Sequence, residues 1–310
     1  NAGEVFVFSG VDGSLICTID PGLSSGSRFG EKIGPVGTSG LIAIGVPGAA
    51  GGLGQIHIYN AASCSSAGVG IISNPDDGKI GDSKITSFDN DEILIGNPTA
   101  TAQGKSQAGK LYRVDVDTLG APVISYDAKT SATVGGLFGH SSSVLGPVRI
   151  LVGSPGADVA FIVSHSGPTP PLGNIMATIP DPEAGLGDKF GWSTTKILGS
   201  IVISATEGGA NNGGTFYLFS DVAPYTIQST QGNIFPDSGD QMGFWVAAAS
   251  SGAVNQVLAG VPFDDTPDVN SGRTHLYTGL PGITFDQTFE NFGSSPPGDN
   301  FGYAVTFVEN

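Results

Sequence analysis

The sequence predicts an all-β fold, one β-propeller over residues 1–310, on three observations. Three short motifs recur in fixed order roughly every 50 to 60 residues from end to end. The 49 glycines and 20 prolines fall between β-rich runs at regular offsets, so they read as turn chemistry, not low complexity. Helical periodicity is almost absent. Repeats of this length, each too small to bury its own faces, suit propeller blades of four strands.

The first strand of each repeat follows a Phe-Gly or Gly-Asp step: Phe29-Gly30, Gly81-Asp82, Phe138-Gly139, Asp188-Lys189-Phe190-Gly191, Asp240-Gln241-Met242-Gly243 and Asp299-Asn300-Phe301-Gly302. The second is an apolar run ending in Gly-x-Pro, at Gly45, Gly96, Gly153 and Gly260, with Ser204-Ala205-Thr206 as a worn copy. Short continuous apolar runs suit strands buried on both faces. The third alternates behind a glycine, as in Gly109-Lys110-Leu111-Tyr112, and puts Phe6, His57, Tyr112, Tyr217 and His275 at one position. A ring repeated there is a packing feature, which removes His57 and His275 from catalysis; His140 and His165 lack zinc-type spacing. The fourth strand is polar and variable, as an outer edge should be.

The chain opens at a third strand and ends after a first strand, Phe301 to Val308, so one blade is expected to draw on both termini. That blade lacks a second strand: either the chain continues past Asn310 or the blade has three strands. The count is six blades, with seven if sequence is missing.

Phe-Gly followed by Gly-x-Pro at this spacing resembles the FG-GAP repeat of integrin α-subunit β-propellers and bacterial FG-GAP surface proteins, and the resemblance covers essentially the whole chain. It implies a secreted or cell-surface protein that adheres, binds ligands or takes part in assembly. The family commonly carries an Asp-x-Asp-x-Asp-Gly calcium loop between the first two strands. Here the loops at 33–40, 144–147 and 196–199 lack carboxylates, and Ca²⁺ requires six to eight oxygens. Only Asp89, Asn90, Asp91 and Glu92 stand at the right place, without the full spacing, as a calcium site or a solvated turn.

The 28 acidic residues outnumber the 12 basic ones, a formal net charge of −16. Nucleic acid and anionic membrane surfaces are disfavoured, since both need Lys/Arg patches. No run is long and apolar enough to enter a membrane, and no signal peptide precedes the opening strand. Cys17 and Cys64 follow third strands of neighbouring repeats, and either a bridge or two buried thiols fits.

The long, uneven loops joining strands two to three and four to one lie on the side where the resemblance places ligands. They carry Asp264, Asp265 and Asp268, with Asp76, Asp77, Asp181, Glu183 and Asp237. These form an acidic surface for a basic partner or a cation, or a solvated rim. Asp82, Asp188, Asp240 and Asp299 read as repeated turn acceptors. Trp192, Phe244 and Trp245 stack on a glycan or pack between blades. No nucleophile elbow, zinc helix or phosphate loop is present.

The expectation is a non-catalytic recognition or adhesion propeller that takes a protein or glycan on one loop face. The alternatives are a structural subunit of an extracellular assembly, binding its own kind, and a carbohydrate-active enzyme or its appended module.

Overall fold

Apolar runs of five or six residues, bounded by glycine turns, are too short for helices and pair instead as antiparallel strands. The computed structural model describes residues 2–89, 91–117, 122–166, 172–183, 187–251, 254–266, 268–279, 282–291 and 297–307. Among them the fold is all-β, relieved only by three short 3₁₀ turns.

Six antiparallel sheets follow one another along the chain. The first has two strands, β1 (Val5–Phe8) and β2 (Leu15–Ile19). The second runs β3 (Ile33–Val36), β4 (Leu41–Val46), β5 (Gln55–Asn60), β6 (Ser66–Ser73). The third is β7 (Ile85–Asp89), β8 (Glu92–Asn97), β9 (Lys110–Asp115), β10 (Pro122–Tyr126). The fourth is β11 (Ser141–Val144), β12 (Arg149–Ser154), β13 (Val159–Ser164), β14 (Ile175–Pro180). The fifth is β15 (Phe190–Ile197), β16 (Ser200–Ala205), β17 (Thr215–Ser220), β18 (Ile227–Gly232). The sixth is β19 (Val246–Ser251), β20 (Val254–Val261), β21 (Arg273–Thr278), β22 (Thr284–Glu290). Strands within each sheet keep chain order, so every connection is a local reversal.

The chain divides into two units, residues 1–144 with 164–175, and 145–163 with 176–310. In the first, Val36, Ile56, Ile58, Ile85, Ile93, Ile95 and Tyr112 form a core between the second and third sheets. A smaller core joins Val5, Ile19 and Phe29 to Ile44 and Val46. In the second unit, Ile162, Phe190, Ile203 and Tyr217 share one core, and Val202, Phe216, Met242, Val257 and Tyr277 another. The second strands are thus buried on both faces: Ile44 faces one neighbour, Ala43 the other. The outer strands β18 and β22 are largely exposed, as their polarity predicts.

Glycine sets the distance between sheets. A Cβ on Gly96 would lie 1.9 Å from the Gly139 carbonyl oxygen, and one on Gly109 would lie 2.1 Å from that of Phe138. The Phe-Gly step of each repeat thus seats its backbone on the second and third strands of the repeat before. The same contact recurs at Gly45 with Gly81, and at Gly260 with Gly302. Ser204, the worn copy, fills the glycine's place beneath Gly243.

Four sequence expectations need correction. Residues Ile33–Val36, taken as a loop, are strand β3 itself. Gly81, with φ 91°, holds the place of Gly139 and Gly191, so Asp82 follows the step and is not equivalent to Asp188. Phe6 is 51% exposed instead of packed, in a sheet where, among the described residues, β1 pairs only with β2. Residues 301–307 form no strand; Phe301 makes only an isolated parallel bridge to Gly272, and Val308 lies outside the described residues.

Candidate functional site

An Asp or Asn follows the last strand of every sheet: Asp20, Asn74, Asp127, Asp181, Asn233 and Asn291. The first five fold the chain over with the side-chain oxygen, accepting from the amide two residues on: Gly22, Asp76, Lys129, Glu183 and Phe235. This recurrence escapes the sequence reading because Asp and Asn alternate within turns of different length.

The turn aims its following acidic residue at the next sheet. Asp76 accepts from Tyr112 Oη at 2.6 Å and Lys110 Nζ at 2.8 Å. Bonds from Lys110 and Tyr112 hold its carboxyl below the usual range. Glu183 accepts from Tyr217 Oη at 3.0 Å. Burial, then these carboxylates, pushes both phenols up. Asp76 and Glu183 are therefore clamps between sheets. Asp77 is exposed, accepts from the Thr101 amide at 2.9 Å, and is held low by Thr101.

In the second unit, Asp264 is buried beside Arg273, 3.6 Å away, and burial raises its carboxyl. Arg273 also reaches Glu290 at 2.8 Å and lies 5.8 Å from the Phe235 ring centre. Asp240, fully buried, accepts from Asn233 Nδ2 and the Asp237 amide; burial pushes it up to about 6. The nearby charges of Asp264, Asp237 and Asp265 add to that shift. Around this buried group Asp237, Asp265 and Asp268 are exposed, with Phe235 and Val269 at 56% and 60% exposure. The β18–β19 and β20–β21 loops so present carboxylates beside apolar side chains.

The residues directly after the Phe-Gly glycines hold one register: Glu31, Asp82 and His140 in the first unit, Trp192, Phe244 and Tyr303 in the second. Trp192 and Phe244 lie 5.4 Å apart, Phe244 and Tyr303 4.6 Å, and Phe263 closes edge-on at 5.6 Å. Lys189 Nζ stands 5.5 Å from the Trp192 ring centre. All four rings are half-buried, as is Trp245, whose carbonyl accepts from Gly260. Tyr303 is the member that sequence reasoning omitted; its place after Gly302 was the available signal.

The third-strand rings fill one register: His57, Tyr112, Phe161, Tyr217 and His275, all buried. Burial lowers His57, and lowers His275 to about 4. Phe161 went unrecognised because Asp158, at φ 50°, stands where the other repeats have glycine. His165 packs edge-on against Phe88 at 4.7 Å.

At the turn read as a calcium site or a solvated turn, one of the four candidate ligands is engaged by a cation. Glu92 is held by Arg113 at 2.6 and 2.8 Å. Asp89 and Asp91 are exposed, and Asn90 lies outside the described residues. Burial and the charges of Asp117, Asp115 and Asp89 raise Asp91. Among the described residues no three His, Cys, Asp or Glu side chains gather to hold a metal. Cys17 and Cys64 are disulfide-bonded, with Cα atoms 6.3 Å apart. No described helix is long and apolar enough to cross a membrane. No protein-family model matches the chain, and a search of curated proteins finds no match.

Proposed function

We propose that the six sheets are blades of one β-propeller of the FG-GAP type, its ring closed by the N- and C-terminal segments in one blade. It serves as a non-catalytic recognition module, secreted or displayed on a cell surface, and binds a basic protein segment through a loop face. The observation that carries this reading is the exposed group Asp237, Asp265 and Asp268 beside Phe235 and Val269. The neighbouring Asp264 and Asp240 are tied inward, whereas these three are exposed, Asp265 giving one oxygen to the Asn270 amide at 2.9 Å. The Cys17–Cys64 bond supports an oxidising compartment.

A short fluorescent oligolysine peptide and an array of neutral glycans test this face. The wild type should bind the peptide with an affinity that falls as salt rises. The D237N/D265N/D268N variant should weaken binding at least about tenfold. Equal binding by the variant would reject the face. Binding to a neutral glycan, lost in Trp192→Ala, would move the ligand to the aromatic row.

A second reading, a subunit of an extracellular assembly, is favoured by the two-stranded sheet. There Phe6, Phe8, Leu15 and Ile16 are about half exposed, and among the described residues β1 pairs only with β2.

A further inference from the structure

Within the second unit, three repeats place an aspartate ahead of the Phe-Gly-type step, and each has a partner after the preceding fourth strand. In two the partner is an amide. Asn233 Nδ2 donates to Asp240 Oδ2 at 2.9 Å, and Asn291 Nδ2 donates to Asp299 Oδ2 at 2.8 Å. In the third repeat the same two positions are Asp181 and Asp188. The amide donor has been replaced by a second acceptor.

Both side chains are withdrawn from water, Asp181 at 5% and Asp188 at 1% exposure. Neither oxygen of Asp188 has a hydrogen-bond donor, nor does Oδ2 of Asp181; Oδ1 of Asp181 is taken by the Glu183 amide. The two carboxyls are within hydrogen-bonding reach of each other. Two bare carboxylates so placed repel in a poorly solvated site, and one of them must give up its charge.

We propose that Asp181 and Asp188 share one proton, a carboxylic acid–carboxylate pair that replaces the amide–carboxylate bond of the sister repeats and fastens the β14–β15 connection. A carboxylic acid has the shape of the asparagine amide and offers one O–H where the amide offers N–H. A divalent cation fits less well. It needs six to eight oxygens, and among the described residues no third ligating side chain is gathered with these two.

The surroundings act in the same direction. Asp158, on the β12–β13 turn, accepts from the Lys189 amide at 2.9 Å and adds its charge to the site. The Glu207 amide bonds to the Asp188 carbonyl, while its carboxylate takes the Lys189 ammonium. Glu183 is held by Tyr217. Burial first, then Asp181 and Asp158, pushes Asp188 up to about 7 from 3.8. At Asp188 the folded chain therefore holds more proton than the unfolded one between about pH 4 and about pH 7, while the buried His57 and His275 act in the opposite sense and are common to the wild type and the variant compared below. The stabilisation is complete at the acid end and is lost as pH rises through neutrality.

Melting curves of the wild type and Asp181→Asn, in chelator from about pH 4.5 to about pH 8.5, test the pair. The wild-type Tm should fall by several degrees relative to the variant, whose amide donates at every pH. Parallel curves would overturn the proposal. So would calcium raising the wild-type Tm at alkaline pH but not the variant's, since that is the mark of a cation site. If Asp181→Asn does not fold, Asp188→Asn reverses the donor and should also abolish the fall. Carboxyl ¹³C titration of aspartate-labelled wild type needs no variant. It should show one aspartate titrating near neutrality and coupled to a second; independent single-step titrations of every aspartate would overturn the assignment.

Discussion

Gly96 is held to glycine by its neighbour, not by its own backbone. Any Cβ there would stand 1.9 Å from the Gly139 oxygen and 2.7 Å from Ser83 Oγ, and a main-chain atom cannot swing aside. Gly96→Ala should therefore cost about 3 kcal/mol, read as a lower urea midpoint with unchanged slope. Gly104→Ala, where nothing lies within 4 Å, has only its φ of 72° against it and should cost about 1 kcal/mol. Gly96 was legible because its Gly-x-Pro motif recurs along the chain. Asp158 was not, since an aspartate at φ 50° does a glycine's backbone work while looking like a surface carboxylate. The candidate acids divided for a similar reason. Asp76 and Glu183 read as rim residues, but their bonds to Tyr112 and Tyr217 run between sheets, a relation that local sequence does not carry.

Second strands, and every third strand but β13, were read correctly because burial on both faces leaves a continuous apolar run and an aromatic register. The first strands were harder. The β3 sequence Ile33-Gly34-Pro35-Val36 looks like a loop, and its glycine is explained only by Ile85, whose carbonyl oxygen would lie 2.6 Å from an added Cβ. The Cys17–Cys64 bond is the element whose removal is most informative. It ties β2, in the sheet with the fewest strands, to the turn between β5 and β6 across a sequence separation of 47. Chain-entropy reasoning assigns such a loop about 4 kcal/mol. The Cys17→Ser/Cys64→Ser variant should lose about 2–4 kcal/mol, and hydrogen exchange should rise first in β1 and β2. Unchanged protection there would show that the small core of Val5, Ile19 and Phe29 holds these strands unaided.

The net charge of −16 carries its own consequence over the whole chain. Self-repulsion keeps copies apart at low salt, while a basic partner gains from it, in line with the proposed loop face. The repetition was plain in the sequence; what holds the repeats in order was only half so. The glycine motifs and apolar runs could be read directly, whereas the seating contact those glycines make and the Asp/Asn turn after each fourth strand belong to the three-dimensional fold. The same backbone contact that joins each repeat to the one before it also seats Phe301-Gly302 on Gly260 and Gly272. That contact sets the repeats in sequence; closing the row into a ring is the proposed step. Small-angle X-ray scattering of the dilute monomer tests that ring most directly. A closed propeller of this length should give a radius of gyration of about 20 Å and a distance distribution with one symmetric peak. A radius well above that value, with a second peak at long distance, would contradict the ring.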